Sequence, residues 1–464
     1  MAEFTMAEVL AATGAKLLRE VEERVFTGVS TDTRTIQAGN LFLALEGKNF
    51  DGHKFTMQAC QNGARGVIVS KERGDVEALP DTAVMLVEGG TLKALQNLAK
   101  FHRRRFSIPV VGVTGSNGKT TTKELIAAML SGKFKVLKTE NNYNNEIGLP
   151  LTILNLTGEH EAAVLEMAMR ARGEIKALAE IAQPTIAVVT NVSQTHVELL
   201  GSIENVALAK AELVEALDEN GVAVLNYDNK YVREMAAKNK GRTIFYGLTK
   251  DALVHAESII ENVDDVNTTF ICWGPRNGFF SVIVPLLGAH NVSNSLAAMA
   301  VNCELGLTAL EIQAGLAVFR PADMRQTIIR KGAYTIINDA YNASPNSMAA
   351  AIEVLAEVAK GRKIAVLGDM LELGREAKEA HEKIGELLAQ KSVDALFTVG
   401  EMSKYLAARA RERGVPYVAE CLSHHHAKEE LVKYLLPGDT ALFKGSRGME
   451  MEKVLELIDF SLLR

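Results

Sequence analysis

The stretch Val110 to Thr122, VVGVTGSNGKTTT, leaves this chain few folds, because an apolar strand runs into a glycine turn that opens directly into a helix. Val110, Val111, Gly112 and Val113 suit a parallel strand covered on both faces. Gly115 and Gly118 let the backbone turn tightly and aim its N–H groups at an anion. Lys119 adds a mobile positive charge, and Thr120 a hydroxyl suited to Mg²⁺. Gly115, Ser116, Asn117, Gly118, Lys119, Thr120 and Thr121 therefore form a candidate nucleoside triphosphate site. The general pattern G-x-x-x-x-G-K-[ST] wants a glycine where Val113 stands, and Gly112 lies one position too early. A glycine-rich turn with a surface lysine is the competing reading. The strand, the Gly-Lys-Thr-Thr run and the helical residues Lys123 to Leu130 favour phosphate.

At 464 residues the chain exceeds one ordinary core and suggests three domains, on a norm of ~150 residues each. The first hundred or so residues mix short strands (GNLFLAL, RGVIVS, AVMLVE) with helices. A helix from Thr91 to about Arg105 closes on His102-Arg103-Arg104-Arg105, which reads as a solvated basic end complementing the macrodipole. From Ile108 strands alternate with helices, the pattern of a doubly wound parallel sheet with helices on both faces. Its strands are PVVGVT, AAVLEMA, TIAVVTNV and GVAVLN. Residues 250–286 look antiparallel, and a helical stretch runs from Asn291 to Val318. A third α/β unit follows Phe319-Arg320-Pro321, with strands in YTIINDAY, KIAVLGDM, ALFTVG and TALFKGS. The expected domains are 1–100, 101–320 and 321–464.

Composition narrows the function. A net charge of −6 argues against a general nucleic-acid or membrane-surface binder. The four cysteines are far apart and read as buried free thiols of a reducing compartment. Thr5 and Glu8 make a capping box where a secretory leader would need a basic-then-apolar run. No apolar run nears the ~20 residues of a membrane span, so cytoplasmic residence is the expectation.

Open parallel sheets put their ligands beyond the C-terminal strand ends. Lys119 and Thr120, Glu166, His196, and Asp339 with Tyr341 all fall there. A carboxylate and an imidazole beside a phosphate loop are groups that Mg²⁺ bridging phosphates would recruit, although imidazole is softer than Mg²⁺ prefers. Each has a plainer reading: Glu166 as a helix-dipole partner, His196 as a hydrogen-bonded loop residue, Asp339 as the cap of a helix starting near Ser344. In ENNYNNEIGLP (Glu140 to Pro150), Asn141, Asn142, Asn144 and Asn145 surround Tyr143. That loop suits either turns or a polar substrate surface, and the residues leave the choice open. His424, His425 and His426 are consecutive, without an acidic or cysteine partner, and read as a solvated loop.

Taken together, TGSNGKTT, NNYNNEIGLPLTIL, EMAMRARGEI, NVSQTHVELLGS, GAHNVSNSLAA and NDAYNASPNSM resemble the ATP-dependent muramyl ligase family of peptidoglycan synthesis. The likeness covers essentially the whole chain. NNEIGLPL and DAYNASPNSM look like its D-alanyl-D-alanine-adding branch. The family's phosphate loop also lacks the first glycine. Ala168 is a departure, since relatives commonly carry glycine there, and it adds only a methyl. The resemblance implies a smaller mixed α/β UDP-binding N-terminal domain, a central P-loop-type ATPase domain and a Rossmann-like C-terminal domain. It implies that Lys119 holds the β- and γ-phosphates, that Thr120 and Glu166 bind one Mg²⁺ and that His196 binds a second. Lys210 matches a lysine that several siblings carbamylate into a metal ligand, and its plain reading is an exposed helix lysine. Asn291 and Asn294 fall where the family meets adenine, and Arg325 and Asp339 would reach phosphate and ribose. Ser30, Asp32 and Arg34 match the uridine-diphosphate site, with Asp51 and His53 nearby. Asn144, Asn145 and Tyr341 are further substrate candidates, and Lys444 to Arg447 is a candidate cluster for the dipeptide.

The resemblance implies cofactors ATP and Mg²⁺ and substrates UDP-N-acetylmuramoyl-tripeptide and D-alanyl-D-alanine, joined through an acyl phosphate by a monomer. Closure about Ala322 to Gln326 would shield that intermediate from water. The rivals are a diamino-acid-adding muramyl ligase, a folylpolyglutamate synthase, or a P-loop ATPase that ligates nothing. A purely mechanical ATPase has no need of STDTR and FDGH in a separate N-terminal domain.

Overall fold

The computed structural model describes residues 2–21, 25–47, 49–71, 79, 81–274 and 278–462. Three α/β domains follow one another, each built on its own sheet. The middle one is a nine-stranded sheet in the order 136–138, 162–166, 110–114, 186–189, 222–226, 242–247, 254–262, 267–274, 278–284. Its pairings are parallel until the last two, which form an antiparallel meander. VVGVT, AAVLE, IAVV and VAVLN are buried at every residue, as strands covered on both faces must be. From Val110–Thr114 the chain first builds toward one edge, then returns past it to build toward the other. The phosphate-loop strand thus stands at the switch point, where the flanking crossovers part and leave a crevice.

The first domain carries a five-stranded sheet, 16–19, 83–86, 66–69, 41–43 and 29–30, parallel except at its first pairing. The third carries six strands, 327–331, 334–338, 440–444, 363–368, 395–399 and 417–421, with only the first pair antiparallel. One apolar core joins the first two domains, running from Phe4, Val9, Leu95 and Leu98 to Leu149, Ile153, Leu165 and Leu178. The third has a core on either face of its sheet, one of which also takes in Leu287, Val263 and Val266 of the second domain. It meets the second through a link in which Met324 (φ 56°) and Gln326 (φ 53°) take left-handed backbones.

Several local expectations change. The basic end that follows the helix Thr91–Arg103 is solvated only in part: Arg104 and Arg105 are exposed, but His102 is 3% and Arg103 5% exposed. Arg103 donates to the carbonyls of Ala182 (2.8 Å), Phe106 (2.6 Å) and Gln183 (3.3 Å), and His102 Nε2 meets Leu156 O at 2.9 Å. The guanidinium is tolerated inside because these carbonyls replace its water. The helical stretch after Asn291 is two helices, Ala289–Glu304 and Ala309–Val318, broken at Gly306 and restarted by a Thr308–Glu311 capping box. His424 to His426 open the helix His424–Tyr434 behind the N-cap Ser423, and are no loop. Among the described residues no helix is long and apolar enough to cross a membrane. The cysteines are free thiols, three of them buried and Cys60 half-buried.

Candidate active site

The glycines of the phosphate loop are dictated by backbone geometry. Gly115 has φ 150° and Gly118 φ 80°. A Cβ on Gly115 would lie 1.8 Å from Thr190 Oγ1, and one on Gly118 2.3 Å from Asn294 Oδ1. The loop is tied to the end of the neighbouring strand. Ser116 N–H donates to Asn191 O (2.8 Å), Asn117 N–H to Asn191 Oδ1 (3.0 Å), and Thr190 Oγ1 to Asn117 O (2.6 Å). The helix Lys119–Leu130 begins without a side-chain cap, so its first amides face the crevice unclaimed. Lys119 Nζ folds back onto the carbonyls of Gly115 (2.9 Å) and Ser116 (3.2 Å). Burial pulls its ammonium below the usual lysine range, and the Glu166 carboxylate opposes that shift.

Glu166 ends its strand 2% exposed. Oε1 accepts from Asn144 Nδ2 at 2.8 Å, while Oε2 is buried with no hydrogen-bond partner. An unpartnered carboxylate oxygen costs desolvation without return unless a cation comes to it. Thr120 lines the same cleft, its Oγ1 3.3 Å from Arg325 Nη2. These are hard oxygen donors, the kind a Mg²⁺ ion takes. His196, in a left-handed backbone (φ 58°), meets Glu372 Oε2 through Nδ1 at 2.6 Å. Lys210 sits in the helix Ile203–Glu215 at 2% exposure, buried where its plain reading had it exposed. Burial, with the charge of Lys119, pushes its amine well below the lysine range.

On the other side of the loop, Asn294 Oδ1 accepts from Thr122 Oγ1 (3.3 Å) and its Nδ2 donates to Asn291 Oδ1 (3.2 Å). Asn291 Nδ2 donates to Leu287 O (2.8 Å) and Gln326 Oε1 (2.9 Å), and His290 Nε2 donates to the same Gln326 oxygen (2.8 Å). His290 is thus a cleft residue that the sequence did not point to, and Gln326, expected only as the end of the closing segment, is another. Asp339 does not cap a helix; Ser344 does that. Its Oδ1 accepts from Gln326 N (3.0 Å), and its Oδ2 pairs with Lys444 Nζ (2.5 Å), which also donates to Asn342 O (2.9 Å).

The third domain lies against the loop. Arg325 stacks on Tyr341 (3.9 Å to the ring centroid) and points to Thr120, and Ser344 Oγ donates to Asn117 Oδ1 (2.8 Å). The two domains enclose a cleft of about 870 Å³. Asn142, Asn144, Asn145, Glu146, Tyr341, Lys444 and Arg447 line it. Asn145 Oδ1 is already engaged by the N–H groups of Ile147 (3.1 Å) and Gly148 (2.9 Å).

Ser30, Asp32, Arg34, Asp51 and His53 do not line this cleft; they stand on the first domain. Ser30 Oγ donates to Asp32 O (2.9 Å), and Arg34 grips Asp32 with two nitrogens while its own side chain stays 85% exposed. Arg34 holds the Asp32 carboxyl below the usual range. His53 is 1% exposed, with Nδ1 on Asp51 Oδ1 (2.7 Å) and Nε2 accepting from Ser70 N (3.0 Å). Both ring nitrogens are spent, so His53 orients Asp51 and has no atom left for a ligand.

Comparison with known proteins agrees with this layout. Residues 25–103 match the Mur ligase family catalytic domain, residues 113–302 the Mur ligase middle domain, and residues 324–447 the Mur ligase glutamate ligase domain. The UDP-N-acetylmuramoyl-tripeptide–D-alanyl-D-alanine ligase of Bacillus subtilis is 38% identical over 443 residues, 94% of each chain. The crystal structure of MurF from Acinetobacter baumannii superposes with a TM-score of 0.89 at 30% identity, covering 98% of both chains. MurF ligase from Thermotoga maritima, solved in complex with ADP, gives 0.81 at 30% identity over 93% of this chain and 96% of that one. With likeness running through all three domains and nearly the whole length, the chain belongs to the Mur ligase family.

Proposed function

We propose that the protein joins D-alanyl-D-alanine to UDP-N-acetylmuramoyl-tripeptide at the expense of ATP, as a cytoplasmic, monomeric step of peptidoglycan precursor synthesis. The observation that carries this reading is the third domain's grip on the phosphate loop, Arg325 on Thr120 and Ser344 on Asn117. It draws the two domains together over one cleft, and an enzyme that makes a reactive acyl phosphate needs its reacting groups gathered and shielded in this way. The domains divide near residues 100 and 320, into UDP-binding, ATP-binding and Rossmann-like parts.

A carboxylate is a poor electrophile. The tripeptide's terminal carboxylate oxygen therefore attacks the γ-phosphorus of ATP, the bond to the β–γ bridging oxygen breaks, and ADP leaves. The neutral amine of the dipeptide then attacks the acyl carbon, and the tetrahedral adduct expels phosphate. Lys119 leaves the carbonyls of Gly115 and Ser116 for the β- and γ-phosphates, where the uncapped helix start adds its amides. Arg325 neutralises phosphate charge from the other side, Asn291 and Asn294 meet adenine, and Asp339, whose oxygens keep further lone pairs, accepts from ribose. Asn144, Asn145 through its Nδ2, and Tyr341 face the tripeptide. Ser30, Asp32, Arg34 and Asp51 hold the uridine diphosphate.

Mg²⁺ fits the residues present: Thr120 and the unpartnered Oε2 of Glu166 would hold one ion, and His196 a second. Bound there, it would neutralise phosphate charge as it builds. A lysine must be neutral to take up CO₂, and burial of Lys210 favours that neutral form.

The test is to supply ATP, UDP-muramoyl tripeptide and one amine at a time while following ADP release and product mass. D-alanyl-D-alanine alone should give the mass of a pentapeptide. Stimulation by glycine or glutamate instead would overturn the reading.

A further inference from the structure

The contact between His196 and Glu372 is unusual in its backbone. His196 (φ 58°) and Glu372 (φ 62°) are both non-glycine residues in the left-handed region, and they come from different domains. Their side chains are only partly covered, at 27% and 48% exposure. Two strained backbones cost more than a half-exposed ion pair returns, so stability does not account for the arrangement. Two residues on, Gly374 (φ 54°) brings the same loop down on the helix Val197–Leu200, where a Cβ would sit 3.3 Å from that of Glu198. The loop is seated on the His196 turn by shape as well as by charge.

The chemistry of the contact is directional. Glu372 meets the ring through a carboxylate oxygen, which accepts. His196 Nδ1 therefore carries the hydrogen. Nε2 has no hydrogen-bond partner among the described residues, and in the neutral ring the lone pair is on that atom. Both residues line the cleft that holds Lys119, Thr120 and Glu166.

We propose that Glu372 is a positioning residue, delivered when the third domain closes, which fixes His196 as the Nδ1–H tautomer and presents its Nε2 lone pair to the phosphate end of the cleft. This rests on the ligase reading above. It deepens that reading by making the phosphate site complete only in the closed enzyme, so that ATP is not committed while the chamber is open to water. A carboxylate partner behind an imidazole commonly sets both the tautomer and the ring's orientation.

The experiment compares Glu372→Ala and Glu372→Gln with the wild type in two ways. Steady-state ADP release should show kcat falling by about ten- to a hundredfold in Glu372→Ala, the usual size of such effects. KM for ATP and for the tripeptide substrate should stay within about twofold. Glu372→Gln, whose amide oxygen still accepts from Nδ1–H, should recover part of the loss. Independently, ¹⁵N-histidine spectra of the ADP-bound protein, with His196 assigned by His196→Gln, should show the Nδ1–H form in the wild type. That form should be lost in Glu372→Ala and largely kept in Glu372→Gln. An unchanged tautomer in Glu372→Ala, or an unchanged kcat, overturns the proposal. A wild type that releases no ADP with tripeptide and dipeptide refutes the ligase reading instead, and the spectra still decide the pairing.

Discussion

Gly115→Ala is the sharpest perturbation of the phosphate loop, because two separable costs meet at one atom. The first is backbone: φ of 150° is close to forbidden for a residue with a side chain, a strain of about 1–3 kcal/mol. The second is overlap: the new methyl would stand 1.8 Å from Thr190 Oγ1 and 3.1 Å from Thr190 Cβ, and overpacking of this kind costs about 1–3 kcal/mol. Thr190→Ala removes the offending oxygen and loses its 2.6 Å hydrogen bond to Asn117 O, worth about 1 kcal/mol. The double variant should then be less destabilised than the two singles added together, by about 1–3 kcal/mol. Trp273, the chain's only tryptophan, lies in the same nine-stranded sheet, so its fluorescence during urea unfolding reports on this domain. ADP affinity measured alongside should fall in Gly115→Ala and recover partly in the double variant. Free energies that add to within about 0.5 kcal/mol would refute the overlap.

Glu166→Gln keeps an oxygen for Asn144 and removes the buried charge; ADP release should drop by about a hundredfold or more while the circular dichroism spectrum and melting temperature hold. Retained turnover would take Glu166 out of the phosphate site. Arg103→Met leaves the carbonyls of Ala182, Phe106 and Gln183 without their donor, and urea unfolding should show a loss of about 3 kcal/mol. A loss below about 0.5 kcal/mol would mean that water replaces the guanidinium. Glu357, in the helix Pro345–Val358, faces Glu261 of the central meander, and burial with that neighbour lifts its carboxyl from 4.5 to about 7. The folded state then holds a proton that the unfolded chain has released between those values, so stability falls as pH rises through that window. Melting temperature should decline from pH 5 to 8, and Glu357→Gln should flatten the decline; parallel curves would show that the pair is not coupled.

What the sequence made legible is what depends on neighbours along the chain. Strand, glycine turn and helix at Val110–Leu130 are local, and so are the polar residues that close buried strands, since the strand itself announces where they point. Short edge strands such as VLK at Val136–Lys138 carry too little pattern to be seen, and YVAEC at Tyr417–Cys421 lacks an unbroken apolar run. His424 to His426 form a helix start because Ser423 caps them, a signal that a run of three histidines masks. A basic helix end is usually wet, and Arg103 is dry only because it packs on the distant carbonyls of Ala182 and Gln183. Glu372 was beyond reach altogether: its partner is 176 residues away, and nothing in LELG marks a carboxylate that will meet an imidazole.

The groups that close the cleft share one mechanical root. Gln326 stands in the link between the second and third domains, and its left-handed backbone N–H is held by Asp339 of the third. Its side-chain amide is held by Leu287, His290 and Asn291 of the second. On the proposed reading Asn291 is also where adenine arrives, so the nucleotide and the link compete for, or share, the same amide. Asp339 is in turn braced by Lys444, which burial pulls below its usual range and the carboxylate steadies. A change at Asn291 thus passes through two hydrogen-bonded residues to the strand Tyr334–Asn338, whose end carries Asp339 and Tyr341 and, beyond them, Ser344. Those residues settle on the phosphate loop directly or through Arg325. On that reading nucleotide binding and the position of the third domain are linked through Gln326, which is hydrogen-bonded to residues of both domains.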